Sequence, residues 1–140
     1  MLRRIAKTSI VQLNAALGRF NNPLFVFGPG RSGTTWISEV AALATKSRYC
    51  FEPFHPTVLR AKGVEADTFP QSLNGHLSEE LIQHAEHVVS GVLKHSRTAR
   101  LAHRLLYKGY VIKDINASIV AKDLILRFPT LKPVLVFRHP

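Results

Sequence analysis

The segment Gly28-Pro29-Gly30-Arg31-Ser32-Gly33-Thr34-Thr35 concentrates the residue types that bind anions. Its glycines let backbone N–H groups turn inward. A helix opening at Thr34 would add unpaired donors and the positive end of its dipole, so the pattern predicts a phosphate-binding loop. The hydroxyl pair Thr34-Thr35 fits that reading better than a purely structural turn does. Where a nucleoside-triphosphate loop carries its lysine, however, this chain has Thr34. Val111-Ile112-Lys113-Asp114 is a doubtful source of a metal-binding aspartate, so ATP hydrolysis is disfavoured. The cation sits instead inside the loop, at Arg31, within reach of a terminal anionic group on the ligand.

Other candidates are scattered. Asp114 and Arg138 each follow an apolar run, Tyr110-Val111-Ile112 and Pro133-Val134-Leu135-Val136-Phe137. His76, His84, His87, His95 and His103 form no convincing ligand set. His84 and His87, one turn apart, read as part of a surface helix rather than a metal site. Lys94, Arg97, Arg100, Arg104 and Lys108 recur every three or four residues in a stretch without acids, which predicts one basic helix face. Such a face is either solvated surface or a surface for an anionic partner.

The elements that must hold these residues alternate between strand and helix. Residues 3–20 carry a basic amphipathic pattern that suits a helix, packed on the domain or serving as a membrane-surface or targeting segment. Asn21-Asn22-Pro23 breaks it, and Leu24-Phe25-Val26-Phe27 reads as a strand buried on both faces. A helix of about three turns should run from Thr34 to near Lys46 and Arg48. Tyr49-Cys50-Phe51 follows as a strand, running into the proline-bearing Glu52-Pro53-Phe54-His55-Pro56. Residues 57–77 read as loop. Ser78 is a plausible cap for a helix through Leu93 that Gly91 bends. Residues 118–128 should form another helix, closed by Pro129. Strands alternating with helices imply a parallel sheet, whose ligands bind beyond the carboxyl ends of the strands, where Gly28–Thr35, Asp114 and Arg138 all fall.

Composition bounds the function. The chain has 140 residues, 46% of them hydrophobic and 20% charged, enough for one domain with a core. A single cysteine, Cys50, excludes an internal disulfide and favours a reducing compartment, the cytoplasm by expectation. No apolar run approaches the ~18 residues of a spanning helix. Nineteen Lys and Arg against nine Asp and Glu, for a net charge of +10, predict an anionic partner without naming it.

On these residues the chain resembles the sulfotransferases that use 3′-phosphoadenosine-5′-phosphosulfate. Phe27-Gly28-Pro29-Gly30-Arg31-Ser32-Gly33-Thr34-Thr35-Trp36 resembles the family's 5′-phosphosulfate loop, and Val134-Leu135-Val136-Phe137-Arg138-His139-Pro140 the start of its 3′-phosphate motif. The resemblance covers residues 24–140 and implies a nucleoside-triphosphate-hydrolase-like phosphate-loop α/β fold, with a parallel sheet flanked by helices. On that basis residues 1–22 form a basic amphipathic segment and 23–140 the N-terminal part of a sulfotransferase domain. The family's fold continues past the position of Pro140, so a truncated domain is expected.

The resemblance also implies roles. Arg31 would stabilise charge on the bridging oxygen as the sulfuryl group leaves. Gly30, Ser32, Gly33, Thr34 and Thr35 would hold the 5′-phosphate and Arg138 the 3′-phosphate. Trp36 would lie against the adenine, unless it is a core residue of the first helical turn. No metal is required. The histidine base of the cytosolic branch is replaced here by Ile115, whereas the glutamate that serves carbohydrate-directed and many bacterial members is matched by Glu52. Burial against Phe51 and Phe54 would lift its pKa toward neutrality, as a general base requires. His55 is the runner-up base, and Lys113 or Asp114 would position the acceptor. The function implied is sulfuryl transfer to a hydroxyl or amine on a carbohydrate or other small polar molecule, with no nucleic-acid partner. The rivals are a degenerate nucleotide kinase or NTPase and a non-catalytic polyanion-binding module.

Overall fold

The structure is a computed structural model that describes residues 2–65, 77–99 and 104–138, with side chains described from Ser9 onward. His76, Arg100, His103, His139, Pro140 and the basic side chains of Arg3, Arg4 and Lys7 lie outside the described residues. In chain order the elements are α1 (Leu2–Ala16), β1 (Leu24–Phe27), α2 (Thr34–Ala44), β2 (Arg48–Phe51), α3 (Pro56–Ala61), α4 (Glu79–Val89), β3 (Tyr110–Asp114), a 3-10 turn (Asn116–Ile119), α5 (Ala121–Arg127) and β4 (Lys132–Leu135).

The four strands pair in parallel in the order β2-β3-β1-β4. Alternation of side chains along each strand sorts the core into two layers. Val26, Tyr49, Phe51 and Val111 face α2 and pack with its Ala42. Phe25, Cys50, Tyr110 and Ile112 face the other way, onto Val58 and Leu59 of α3, Leu81, Ala85 and Val88 of α4 and Leu124 of α5. Helices therefore cover both faces of an all-parallel sheet, and the fold is α/β. Between β1 and β2 the chain leaves a place that β3 later fills; β4 then joins on the far side of β1. The order of strands thus reverses at β1, whose carboxyl end is the crevice that such sheets offer to ligands.

Several boundaries differ from expectation for local reasons. α1 ends at Ala16, where Gly18 turns left-handed with φ 67, ahead of the Asn21-Asn22-Pro23 breaker. It is docked on the domain: buried Asn14 donates to the Leu105 carbonyl (2.8 Å) and accepts from Tyr107 N–H (2.8 Å). Residues 57–61, expected as loop, belong to α3, which begins at Pro56, because the His55 ring nitrogen caps Thr57 N–H (3.2 Å) and Pro56 presets the first-turn backbone. Ser78 caps α4 as expected, its hydroxyl accepting from Leu81 N–H at 3.2 Å.

The predicted basic helix from Lys94 to Lys108 does not form among the described residues. Gly91 (φ 74) ends α4 rather than bending it, with Gly91 N–H on Val88 O and Val92 N–H on His87 O, a Schellman arrangement. A side chain at Gly91 would also run into the Phe20 ring. Residues 92–99 instead run irregularly beside β2, where Thr98 O accepts Phe51 N–H at 3.1 Å. The helix expected over 118–128 is split into the 3-10 turn and α5. β4 is an exposed edge strand, and a proline without N–H is tolerated there. Leu135 (58%) and Phe137 (72%) remain open to solvent.

Candidate functional site

The loop between β1 and α2 is shaped by its glycines. Gly28 has φ 153, a backbone conformation that favours glycine, and a Cβ there would collide with the carbonyl of Val136, just past β4. Ser118 clamps the same residue from the 3-10 turn: its hydroxyl accepts from Gly28 N–H (3.2 Å) and donates to Gly28 O (3.1 Å). Beyond that anchor the backbone is open. Gly33, the N-cap of α2, is left-handed (φ 89) and offers no capping side chain, so the N–H groups of Thr34, Thr35 and Trp36 lack a cap. Those of Gly30, Arg31 and Gly33 have no hydrogen-bond partner among the described residues. Ser32 Oγ is buried and also without a partner. An unpaired buried hydroxyl beside a run of unpaired N–H groups is the donor set of an oxyanion cradle.

Arg31 is exposed and held in left-handed backbone at φ 64. Thr34 is buried at 3%, while Trp36 stands 70% exposed on the outer side of α2, which overturns its alternative reading as a core residue. Behind the loop, Ser38 Oγ donates to Thr34 O (2.7 Å) and meets the Tyr49 hydroxyl (3.0 Å), pinning the first turn of α2 to β2.

Register places the remaining candidates along the same sheet edge. Phe27 is level with Asp114 on one side and Leu135 on the other, and Phe51 is level with Lys113. Glu52 therefore emerges beside Lys113 and Asp114, separated from the loop by β3, while Arg138 is exposed beyond the opposite strand. Glu52 has left-handed backbone, φ 45. Its N–H donates to Lys113 O at 2.7 Å. Its carboxylate takes Lys113 Nζ on Oε1 (2.6 Å) and an Arg97 guanidinium N–H on Oε2 (2.7 Å). Lys113 and Arg97 also lie over the Phe51 ring, at 4.7 Å and 5.7 Å from its centroid.

These contacts reverse the expected ionisation of Glu52. Burial does push its pKa up, but the hydrogen bonds and charges of Lys113 and Arg97 outweigh burial, and the carboxyl is held below its ordinary value. Glu52 is thus fixed as a carboxylate with both oxygens engaged. Asp114, fully buried, behaves oppositely: desolvation lifts it to about 6 against the N–H bonds that it accepts and with help from the charge of Glu52. Its oxygens hold Phe54 N–H (2.6 Å), Asn116 N–H (2.7 Å) and Ala117 N–H (3.0 Å), so it ties the Glu52 turn to the end of β3. His55 is held below its ordinary pKa by burial and by Arg97, with Glu52 opposing, and its Nδ1 is spent on capping α3.

Sequence reasoning missed three positions. In the sequence Arg97 is only one member of a helical stripe, Ser118 lies inside an expected helix, and His84 falls on an expected surface. His84 is in fact buried at 4%, with Nε2 on Pro53 O (2.9 Å) and its ring edge-on to Phe54. Only the acid-free run around Arg97 was a signal. No protein-family model matches this chain, and neither does any curated protein or solved structure.

Proposed function

We propose that this chain carries the donor site of a sulfotransferase that uses 3′-phosphoadenosine-5′-phosphosulfate, with a phosphate-loop fold of the nucleoside-triphosphate-hydrolase type. The observation that supports this most is the loop from Gly28 to Thr35. Its unpaired N–H groups and the Ser32 hydroxyl suit an oxyanion, and its only cation is Arg31, with Thr34 where a triphosphate-binding lysine would stand. Backbone strain points the same way. Among the described residues the non-glycine positive φ values fall at Arg31, Glu52 and Lys46, and only Lys46 is explained by a helix end.

In this reading Gly30, Ser32, Gly33, Thr34 and Thr35 hold the 5′-phosphate, Trp36 offers an exposed ring to the adenine and Arg138 meets the 3′-phosphate. The acceptor oxygen attacks sulfur in line as the bond to the bridging phosphate oxygen breaks. Arg31 offsets the charge left on that oxygen. Glu52 takes the acceptor's proton, after one of its two ion pairs opens, and Lys113 keeps the other oxygen in place. The acceptor is a hydroxyl or amine on a carbohydrate or other small polar molecule. The cytoplasm remains the proposed compartment, on the single cysteine, Cys50, which is a free, fully buried thiol.

Calorimetric titration of adenosine 3′,5′-bisphosphate against ATP–magnesium tests the proposal. Selective binding of the bisphosphate is expected, weakened about tenfold or more by Arg31→Ala and by Arg138→Ala, the scale of a lost charge-assisted hydrogen bond. Preference for ATP–magnesium would favour a kinase-like site instead. Salt-sensitive polyanion binding without nucleotide discrimination would favour a charge-based binding module.

A further inference from the structure

The carboxylates around Glu52 have no oxygen left unpaired. Two cations, Lys113 and Arg97, share one carboxylate, and the oxygens of the adjacent Asp114 are already taken by three backbone N–H groups. With Asp114 as a second carboxylate the buried charges are matched within the cluster, so an incoming anion can enter only by exchange, taking a cation that a carboxylate oxygen releases. Exposure identifies the cation that would receive it. The side chains of Lys113 and Glu52 are only 2% and 8% exposed, whereas that of Arg97 is 35% exposed.

Arg97 is also held in place. Its N–H donates to His95 Nδ1 (3.2 Å), and Thr98 fixes the next residue through Phe51 N–H (3.1 Å) and the His95 carbonyl (2.9 Å to Oγ1). The guanidinium lies against the Phe51 ring, and its Nε is buried without a partner. A planar five-donor group with an idle buried N–H matches a two-oxygen anion, which it can grip side-on.

We infer that Arg97 is the acceptor-reading residue, and that it takes an oxyanion of the acceptor, a carboxylate or sulfate ester near the reacting hydroxyl, in exchange for Glu52 Oε2. The inference rests on the sulfotransferase reading for the identity of the reaction. The exchange has a chemical logic: the incoming anion replaces Oε2 as the partner of Arg97, Lys113 keeps Oε1, and Oε2 becomes free to receive the acceptor's hydroxyl proton. An acceptor lacking the anion leaves Oε2 tied to Arg97. Recognition of the acceptor and release of the base are then one event.

Titration of the isotope-labelled protein by NMR with methyl β-D-glucuronide, methyl β-D-glucoside 6-sulfate and neutral methyl β-D-glucoside tests this. Both anionic sugars should bind at least tenfold tighter than the glucoside, and Glu52 carboxyl resonances should move only with the anionic pair. Arg97→Gln should bring the ratio close to one, and Arg97→Lys should leave it intermediate, because the charge survives and the fork does not. Equal binding of all three sugars to the natural protein, or an unchanged ratio in a folded Arg97→Gln, overturns the inference. Adenosine 3′,5′-bisphosphate added to the same samples separates the two readings. Loss of sugar discrimination with bisphosphate binding intact supports Arg97 alone as the reader. Discrimination without any bisphosphate binding keeps the oxyanion site and removes the sulfotransferase reading.

Discussion

The two ends of the candidate site are built on opposite plans. The loop from Gly28 to Thr35 is local: one stretch of chain, backbone donors left unpaired, and one exposed cation at Arg31. The Glu52 cluster is assembled from β2, β3 and the irregular 92–99 segment, and both carboxylate oxygens are paired. A backbone cradle costs little to leave empty when water can reach it, whereas a buried charge must be matched within the fold. The loop's donors are therefore left open, while both oxygens of Glu52 are already engaged.

Stability measurements should separate the two plans, beginning with the cluster. Lys113→Met removes one partner of a buried carboxylate and should lower the urea-derived unfolding free energy by about 3 kcal/mol. If the loss is under ~1 kcal/mol, the cluster is more hydrated than its burial suggests. Next comes a contrast within the loop. Gly28→Ala forces a Cβ into the Val136 carbonyl and should cost about 2–3 kcal/mol, while Gly33→Ala, with open space around it, should cost only the ~1 kcal/mol of left-handed backbone strain. Equal costs at both glycines would mean that Val136, just past β4, does not clamp the loop.

The pH dependence should also divide the molecule. The pKa of Asp114 is raised from 3.8 to about 6, so the folded state binds its proton more tightly. Its contribution is fully present below pH 3.8 and is lost as pH rises through about 6. Glu52 is held below 4.5, so its contribution is present above that value and lost as pH falls. Urea unfolding in steps between pH 4 and 7 should show a falling contribution that Asp114→Asn abolishes and Arg31→Ala leaves intact. The smallest effect is expected at Trp36: Trp36→Ala, on the exposed side of α2, should change stability by no more than ~0.5 kcal/mol. Any larger loss would place the indole in the core after all.

How much of this could be read in advance depended on range. The strand Leu24–Phe27, the turn of glycines and the helix from Thr34 are contiguous, and their periodicity and turn chemistry carry the signal. Ser78 could be recognised as a cap for the same reason. α3 escaped because six residues are too few for a helical period and because its cap is a histidine. The basic stretch misled because spacings of three and four between Lys94 and Lys108 count charges and ignore the left-handed turn at Gly91 that precedes them.

By itself the sequence determined the alternating plan of strands and helices, the glycine-rich loop with Arg31 inside it and Thr34 at the lysine position, and the excess of positive charge. Those features depend on neighbours in the chain, where steric limits and hydrogen-bonding habits act over a few residues. Only the tertiary structure decided that β3 stands between Glu52 and the loop, that β4 is an edge, that Ser118 and Val136 lock Gly28 and that Arg97 folds back onto Glu52. Each of those brings together residues far apart in the chain, and the ionisation of Glu52 and Asp114 follows from which charges and N–H groups that packing sets beside them.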